Sequence, residues 1–277
     1  MTSQGSMSRH RIMPLSALLA VLTIALIVAA ALLAPWIATN PPQAMIGDAF
    51  AAPGGTLLGT DVLGRDLFSR IVHGARLTLL IAVSATVIGF AVGTLWAFVA
   101  AELDGWFNEA TEWLVNILLS FPPLMLGLLL VSALSNSLPM LIGAIAAIQV
   151  PRVVRVARAV AQNVIGLQFV EVARARGERL PYILLREVLP NCLRPLAAEF
   201  GLRLTYSTLF ISGLSFLGLG VQPPDADWGG LVRENMSAMQ IGAWMPVLAP
   251  AMAIGAFAVS LNVLIDWIDS RSSTRIG

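Results

Sequence analysis

The feature that most constrains this chain is a run of 25 residues without a charge, Leu77 to Ala101, closed by Glu102 and Asp104. A helix rises about 1.5 Å per residue, so about 20 apolar residues cross a hydrocarbon core of about 30 Å, and this run predicts a transmembrane helix. Other stretches share its character. Leu15 to Ala38 follows Arg9 and Arg11 and is longer than the apolar region of a signal peptide, which predicts a retained anchor. Trp113 to Val150 is uncharged for 38 residues, too long for one span, and Asn136, Ser137 and Pro139 interrupt it as the turn of a helical hairpin. Pro195 to Gly220 and Met245 to Ile265 complete a set of about six. The expected fold is an all-α integral membrane protein.

Composition agrees, with 57% hydrophobic and 12% charged residues against about 25% charged in soluble domains. The formal net charge of +1 offers no basic surface for nucleic acid. A single cysteine, Cys192, excludes an intrachain disulfide and a cysteine-based metal site. His10 and His73 lie far apart, and no metal site is expected. All seventeen basic residues are arginine. Without lysine there is no Walker A motif, so the chain is not expected to hydrolyse ATP in the P-loop manner.

Orientation follows from arginine, which concentrates on the cytoplasmic side. Nine of the seventeen lie between Arg152 and Arg203, and Arg9, Arg11, Arg271 and Arg275 flank the two ends. Both termini are therefore expected in the cytoplasm, which favours an even number of spans. Two loops remain for the opposite side, Thr39 to Arg76 and Val221 to Trp244. The end of the first reads as an amphipathic helix lying at the interface, with Asp61, Arg65, Asp66 and Arg70 either solvating it or forming a contact surface for another subunit. Trp228 reads as an interfacial anchor or a residue touching cargo.

The stretch from Gln162 to Asn191 is too polar to cross the membrane, yet has helical period between two spans. Glu171 to Ala175 contains good helix formers and precedes Gly177, which suits a left-handed cap. A second short helix is expected from Arg179 to Val188, before Leu189 and Pro190. Glu199 and Arg203, at i and i+4, are placed to pair on one face of a span. Asn116, Pro122, Pro123 and Gly127 either open a kink along a pathway or are ordinary helix residues.

In Glu171, Ala173, Gly177, Leu189 and Pro190 the chain resembles the inner-membrane permeases of ATP-binding-cassette importers, whose signature is Glu-Ala-Ala, three residues, Gly, nine residues, Ile, one residue, Leu-Pro. Val172 and Glu187 depart from it. Two further strings resemble the second permease subunit of the dipeptide, oligopeptide and nickel importers. One runs from Gly59-Thr60-Asp61 through Gly64-Arg65-Asp66 to Gly74-Ala75-Arg76, and the other from Leu214 to Gly220 with Pro223, Pro224, Trp228 and Gly229. The C-terminal Ile265-Asp266-Trp267-Ile268-Asp269 departs from the usual pattern.

The resemblance covers Leu58 to Asp266 and implies the type I importer permease fold, with an N-terminal part at 1–57 and a permease core at 58–277. It implies a coupling helix at about 168–190, carrying Glu171, Ala173, Arg174, Gly177, Leu189 and Pro190, which enters a groove on a cytoplasmic ATPase. Ala173 and Gly177 would permit close approach there. Asp61, Gly64, Arg65, Asp66, Trp228 and Gly229 would belong to external loops, and Asn116, Pro122 and Pro123 are candidate pathway residues. The implied partners are a homologous second permease, one or two ATPase subunits, an extracytoplasmic binding protein and bacterial inner-membrane lipid. ATP and Mg²⁺ would sit on the ATPases and no cofactor on this chain. The implied cargo is a di- or oligopeptide, or alternatively nickel or a metal chelate. A secondary transporter would require inverted repeats, an intramembrane enzyme central catalytic residues, and a channel would need no ATPase.

Overall fold

The computed structural model describes residues 13–103, 105–134 and 137–273. Arg9, His10, Arg11, Asp104, Asn136 and Arg275 lie outside the described residues, as does the side chain of Arg271. The α-helices are α1 Leu15–Leu32, α2 Ala34–Ile37, α3 Leu67–Leu103, α4 Gly105–Ser120, α5 Pro123–Leu134, α6 Leu138–Ile165, α7 Gln168–Ala175, α8 Leu180–Tyr182, α9 Leu189–Phe216, α10 Trp228–Glu234 and α11 Met245–Ser273. A π-helical turn, Ile183–Val188, joins α8 to α9, and a 3₁₀ segment, Met236–Ile241, follows α10. Among the described residues there is no strand, only two isolated bridges.

Among the described residues, four helices, α1, α3, α6 and α11, are long and apolar enough to cross a membrane. A fifth span arises if α4 and α5 are taken together, bent by 88° at their junction. Of the six expected, the remaining segment is α9, which has 28 residues but carries Arg194, Glu199 and Arg203 along its first half. The expected hairpin in Trp113 to Val150 is also more broken than its composition suggested. Besides the break between α5 and α6, the helix stops at Ser120 and restarts at Pro123. Pro123 lacks the N–H that would continue α4, and a residue before proline avoids helical geometry.

The loop end read as an interfacial helix is instead the first part of α3, which runs unbroken for 37 residues, roughly 55 Å, beyond the thickness of a bilayer core. Asp66 starts it, accepting the Phe68 N–H at 3.3 Å as an N-cap does. Gly89 and Gly93 lie where α3 meets α6, and a Cβ on Gly93 would come within 2.7 Å of Val153. Small residues at this spacing let spans approach closely where lipid supplies no hydrophobic drive between them.

Three apolar clusters follow the helix axes. Ile81, Ala85, Ile145, Phe210 and Leu214 form the central one. Ala97, Phe98, Ala157, Val170, Ala173 and Cys192 pack at the arginine-rich end. Ala31, Ala75, Trp228, Leu231 and Phe257 pack at the other end. Helix α1 packs on α3 and α11 and otherwise exposes Leu15, Leu22 and Leu26, as a lipid-facing helix does.

Candidate functional site

At the arginine-rich end, α7 and the turn after it form a compact projection. Helix α7 stops as its sequence predicts. Gly177 takes φ +75°, its N–H donates to Arg174 O at 2.9 Å, and the Glu178 N–H donates to Ala173 O at 3.2 Å. This pair of reversed bonds is the Schellman arrangement, which needs a residue tolerant of left-handed backbone at that position.

What α7 buries is Val170 and Ala173, both 0% exposed against Ala97, Phe98 and Ala101 of α3 and Ile183, Val188 and Cys192. Ala173 therefore faces inward and does not serve close approach to an outside subunit, as its small size had suggested. It lets α7 lie against its own chain. The outward residues include Leu167, Phe169, Glu171, Val172, Arg176 and Gly177, with Val172 55% exposed. Arg174 turns back as well: its Nε and Nη2 donate to Glu102 at 2.9 and 2.7 Å, in the two-pronged form that suits a guanidinium. Pairing with Glu102 strengthens its hold on the proton further.

The expected second short helix is not separate. Residues 180–188 pass through the π-helical turn straight into α9, with Leu189 and Pro190 in its first turn. Pro190 has no N–H to give and its ring crowds the carbonyl one turn back, so the wider π turn before it removes the conflict. The segment is thus a rigid extension of a long helix. Arg158 and Arg155 also bind back, to Glu112 at 2.7 Å and to the Asn116 side-chain oxygen at 2.6 Å on α4. Asn116 thereby helps hold α4, while Pro122 and Pro123 form the bend below it.

At the opposite end, the two strings of external-loop residues meet. Asp61 Oδ2 accepts from Arg65 Nε and Arg70 Nη1, both at 2.6 Å, and Glu234 Oε2 accepts from Arg65 Nη2 at 2.9 Å and Arg70 Nη1 at 2.6 Å. Asp61 is 0% and Arg70 2% exposed, so these charges neither solvate an interface nor present a contact surface. They are an internal clamp, two acids against two arginines. Glu234 was not legible as a partner, since it lies over 160 residues from Arg65 and Arg70. Burial pushes the Asp61 carboxyl up, but the N–H groups of Arg65 and Leu63 and the two guanidiniums outweigh it and hold the carboxyl below its ordinary range.

Gly64 closes the loop, its N–H donating to Asp61 O at 3.0 Å. Asp66 accepts from Ser69 at 2.6 Å, from Thr39 and from Asn40, and these bonds overcome burial to keep it ionised below the usual range. Trp228 is 1% exposed and its indole N–H donates to Ile71 O at 3.0 Å, which corrects its reading as an interfacial anchor or cargo contact. A buried indole needs an acceptor, and the α3 backbone provides it. Next to it, a Cβ on Gly229 would lie 2.1 Å from Ser212 O, so only glycine lets α10 rest on α9. Asp227 caps α10 by accepting from Gly230 at 3.3 Å, and burial pushes its carboxyl up to about 6.

Residues 89–274 match the family model described as the binding-protein-dependent transport system inner membrane component. The chain belongs to this family. The permease is 35% identical over 249 residues, 87% of itself and 82% of its relative, to the di/tripeptide transport system permease protein DppC of Pseudomonas aeruginosa. It is 33% identical over 263 residues, 94% of itself and 86% of its relative, to the glutathione transport system permease protein GsiD of Escherichia coli. A putative peptide transport system permease of Brucella suis shares 33% over 256 residues. The permease is accordingly a multi-pass membrane transport subunit of all-α architecture. The α7 projection and the buried clamp both include residues of the strings in which its sequence resembled such permeases.

Proposed function

We propose that the permease is one of two homologous membrane subunits of an ATP-binding-cassette importer, forming with its partner the path for a short peptide. The peptide is delivered by an extracytoplasmic binding protein, and the energy comes from one or two separate ATPase subunits that hold ATP and Mg²⁺. This chain holds no cofactor. The protein resides in a bacterial inner membrane, with the arginine-rich face and both termini in the cytoplasm and residues 58–277 as the translocating core. Peptide cargo is favoured over nickel or a metal chelate because the relatives are named for di/tripeptides and glutathione.

The observation that carries this reading is the construction of α7, in which Glu171, Val172 and Gly177 point outward while Val170, Ala173 and Arg174 lock the helix to α3. A partner that binds such an outward face is mechanically tied to the spans through α3 and α9. Only a partner with different contacts in two states drives a transition, and an ATPase that opens and closes with nucleotide is such a partner.

The test is uptake of a labelled tripeptide into vesicles holding the permease, its neighbouring permease, the ATPases and the binding protein. ATP-dependent uptake is expected in the wild type and lost in Gly177→Arg, with the chain still membrane-inserted. Unchanged uptake in that variant, or flux without any ATPase subunit, would overturn the mechanism.

A further inference from the structure

Helices α3, α6 and α9 enclose a polar layer within their packed centre. Ser207 contacts Thr86 Oγ1 at 2.7 Å and accepts from Gln149 Nε2, and all three residues are buried. One turn toward the arginine-rich face stands a second, charged layer. The guanidinium carbons of Arg152 and Arg203 lie 5.2 and 6.0 Å from the centre of the Tyr206 ring. Arg203 forms an ion pair with Glu199 at 2.7 Å.

Arg152 has no such acid among the described residues. Its one hydrogen bond runs from Nη1 to Ile148 O of its own helix, at 3.4 Å. The layer therefore holds two cations and one anion. Arg152 is half-buried near the middle of the 28-residue α6, one turn before Arg155 and Arg158, which bind back to α4. Holding an arginine partly out of water on a spanning helix without an acid partner is costly and marks a functional position. Tyr206 offsets part of that cost through its ring face, but leaves the guanidinium fork free for an anion.

Arg152 also lines a cleft of about 290 Å³ at the α4–α5 bend, whose other walls include Phe121, Pro123, Leu126, Leu130 and Ile148. Apolar walls with one guanidinium are complementary to an amphipathic carboxylate, the fork taking the two oxygens and the walls the adjoining side chain. The volume suits one end of a peptide rather than a whole oligopeptide.

We infer that this cleft binds the C-terminal carboxylate end of the peptide in transit, with Arg152 as its counter-ion. This rests on the peptide-importer reading and assigns it a subsite toward the arginine-rich end of the path. Uptake of Ala-Ala-Phe and of its C-terminal amide is to be compared in vesicles holding the full complex. In R152Q, carboxylate-peptide uptake should fall at least about tenfold relative to wild type while amide uptake stays within about twofold. Because one binding protein serves every variant, its own preference cancels in the comparison. In L126W, which narrows the cleft without touching the charge, Ala-Ala-Phe should lose more uptake than Ala-Ala-Gly.

An unchanged carboxylate-to-amide ratio in R152Q, or equal losses for the two peptides in L126W, would overturn the inference while leaving the importer reading intact. Loss of the second permease from purified R152Q complex would place the counter-ion on that chain and overturn it too. Wild-type complex that takes up neither peptide would overturn the peptide reading and the subsite with it.

Discussion

The two ends of the permease use similar polar strings in opposite ways. At one end, Asp61, Arg65, Asp66 and Arg70 are turned inward, Arg65 and Arg70 paired with Asp61 and Glu234, and Asp66 hydrogen-bonded by Thr39 and Ser69. At the other, Glu171 and Val172 are outward and only Val170 and Ala173 are buried. Both are short runs of charged and small residues beside a span. What separates them is what they touch: the first fastens the chain to itself, and the second is fastened from behind to leave a face open. A motif rich in charge thus says nothing by itself about exposure, because acids and arginines that pair with one another can be held inside a fold.

The comparison breaks first at the clamp. Arg70→Ala leaves Asp61 and Glu234 short of a cation in a buried setting, and should destabilise the permease by about 3–5 kcal/mol, read as a lowered thermal midpoint in detergent and reduced accumulation in membranes. A loss below about 1 kcal/mol would show the clamp to be surface-like.

Next in size is Asp227, whose carboxyl is raised to about 6 by burial. A group raised in the folded state takes up a proton on folding, so it lowers stability as pH rises from about 4 through 6. Asp61 has the opposite sign, since its depressed value adds stability above the ordinary carboxylate range that is lost as pH falls below it. Asp227→Asn keeps a capping oxygen and removes the charge. It should stabilise by roughly 2 kcal/mol at pH 7.5 and bring little gain near pH 4, as measured by thermal unfolding at both values.

At the open face, Val172→Glu should reduce ATP-dependent uptake at least tenfold yet shift stability by under about 0.5 kcal/mol, as surface substitutions generally do. Equal losses in uptake and stability would make α7 a structural element rather than a docking face. The smallest effect is expected for Arg174→Ala. Its side chain is 41% exposed, so the pair with Glu102 contributes about 0.5–1 kcal/mol at most. A double-mutant cycle with Glu102→Gln would isolate that value.

Much of this architecture was readable from residues. The uncharged runs gave α1, α3, α6 and α11 as apolar helices, Gly177 gave the end of α7, and Glu199 with Arg203 gave a pair one helical turn apart. The signals were weaker where proline met helix. Pro122 and Pro123 allowed either a kink or an ordinary helix and gave no sign of a bend of 88°, and Pro190 pointed to an end where a π turn instead carried the helix through. Gln149, lying in a long uncharged run, was a sign of a buried polar contact that went unread, as was the lack of a nearby acid for Arg152.

The sequence by itself determined that this is a helical membrane protein, that α7 ends at Gly177, and which family it resembles. Those properties depend on apolar length, capping and local offsets, all set within a few residues along the chain. Only the tertiary structure decided that Arg65 and Arg70 meet Glu234, that Ala173 and Arg174 face inward, and that Arg152 stands over Tyr206 beside a cleft. Partner choice for a charge in low dielectric depends on which helices pack together, and residues more than 160 positions apart carry no local mark of that meeting.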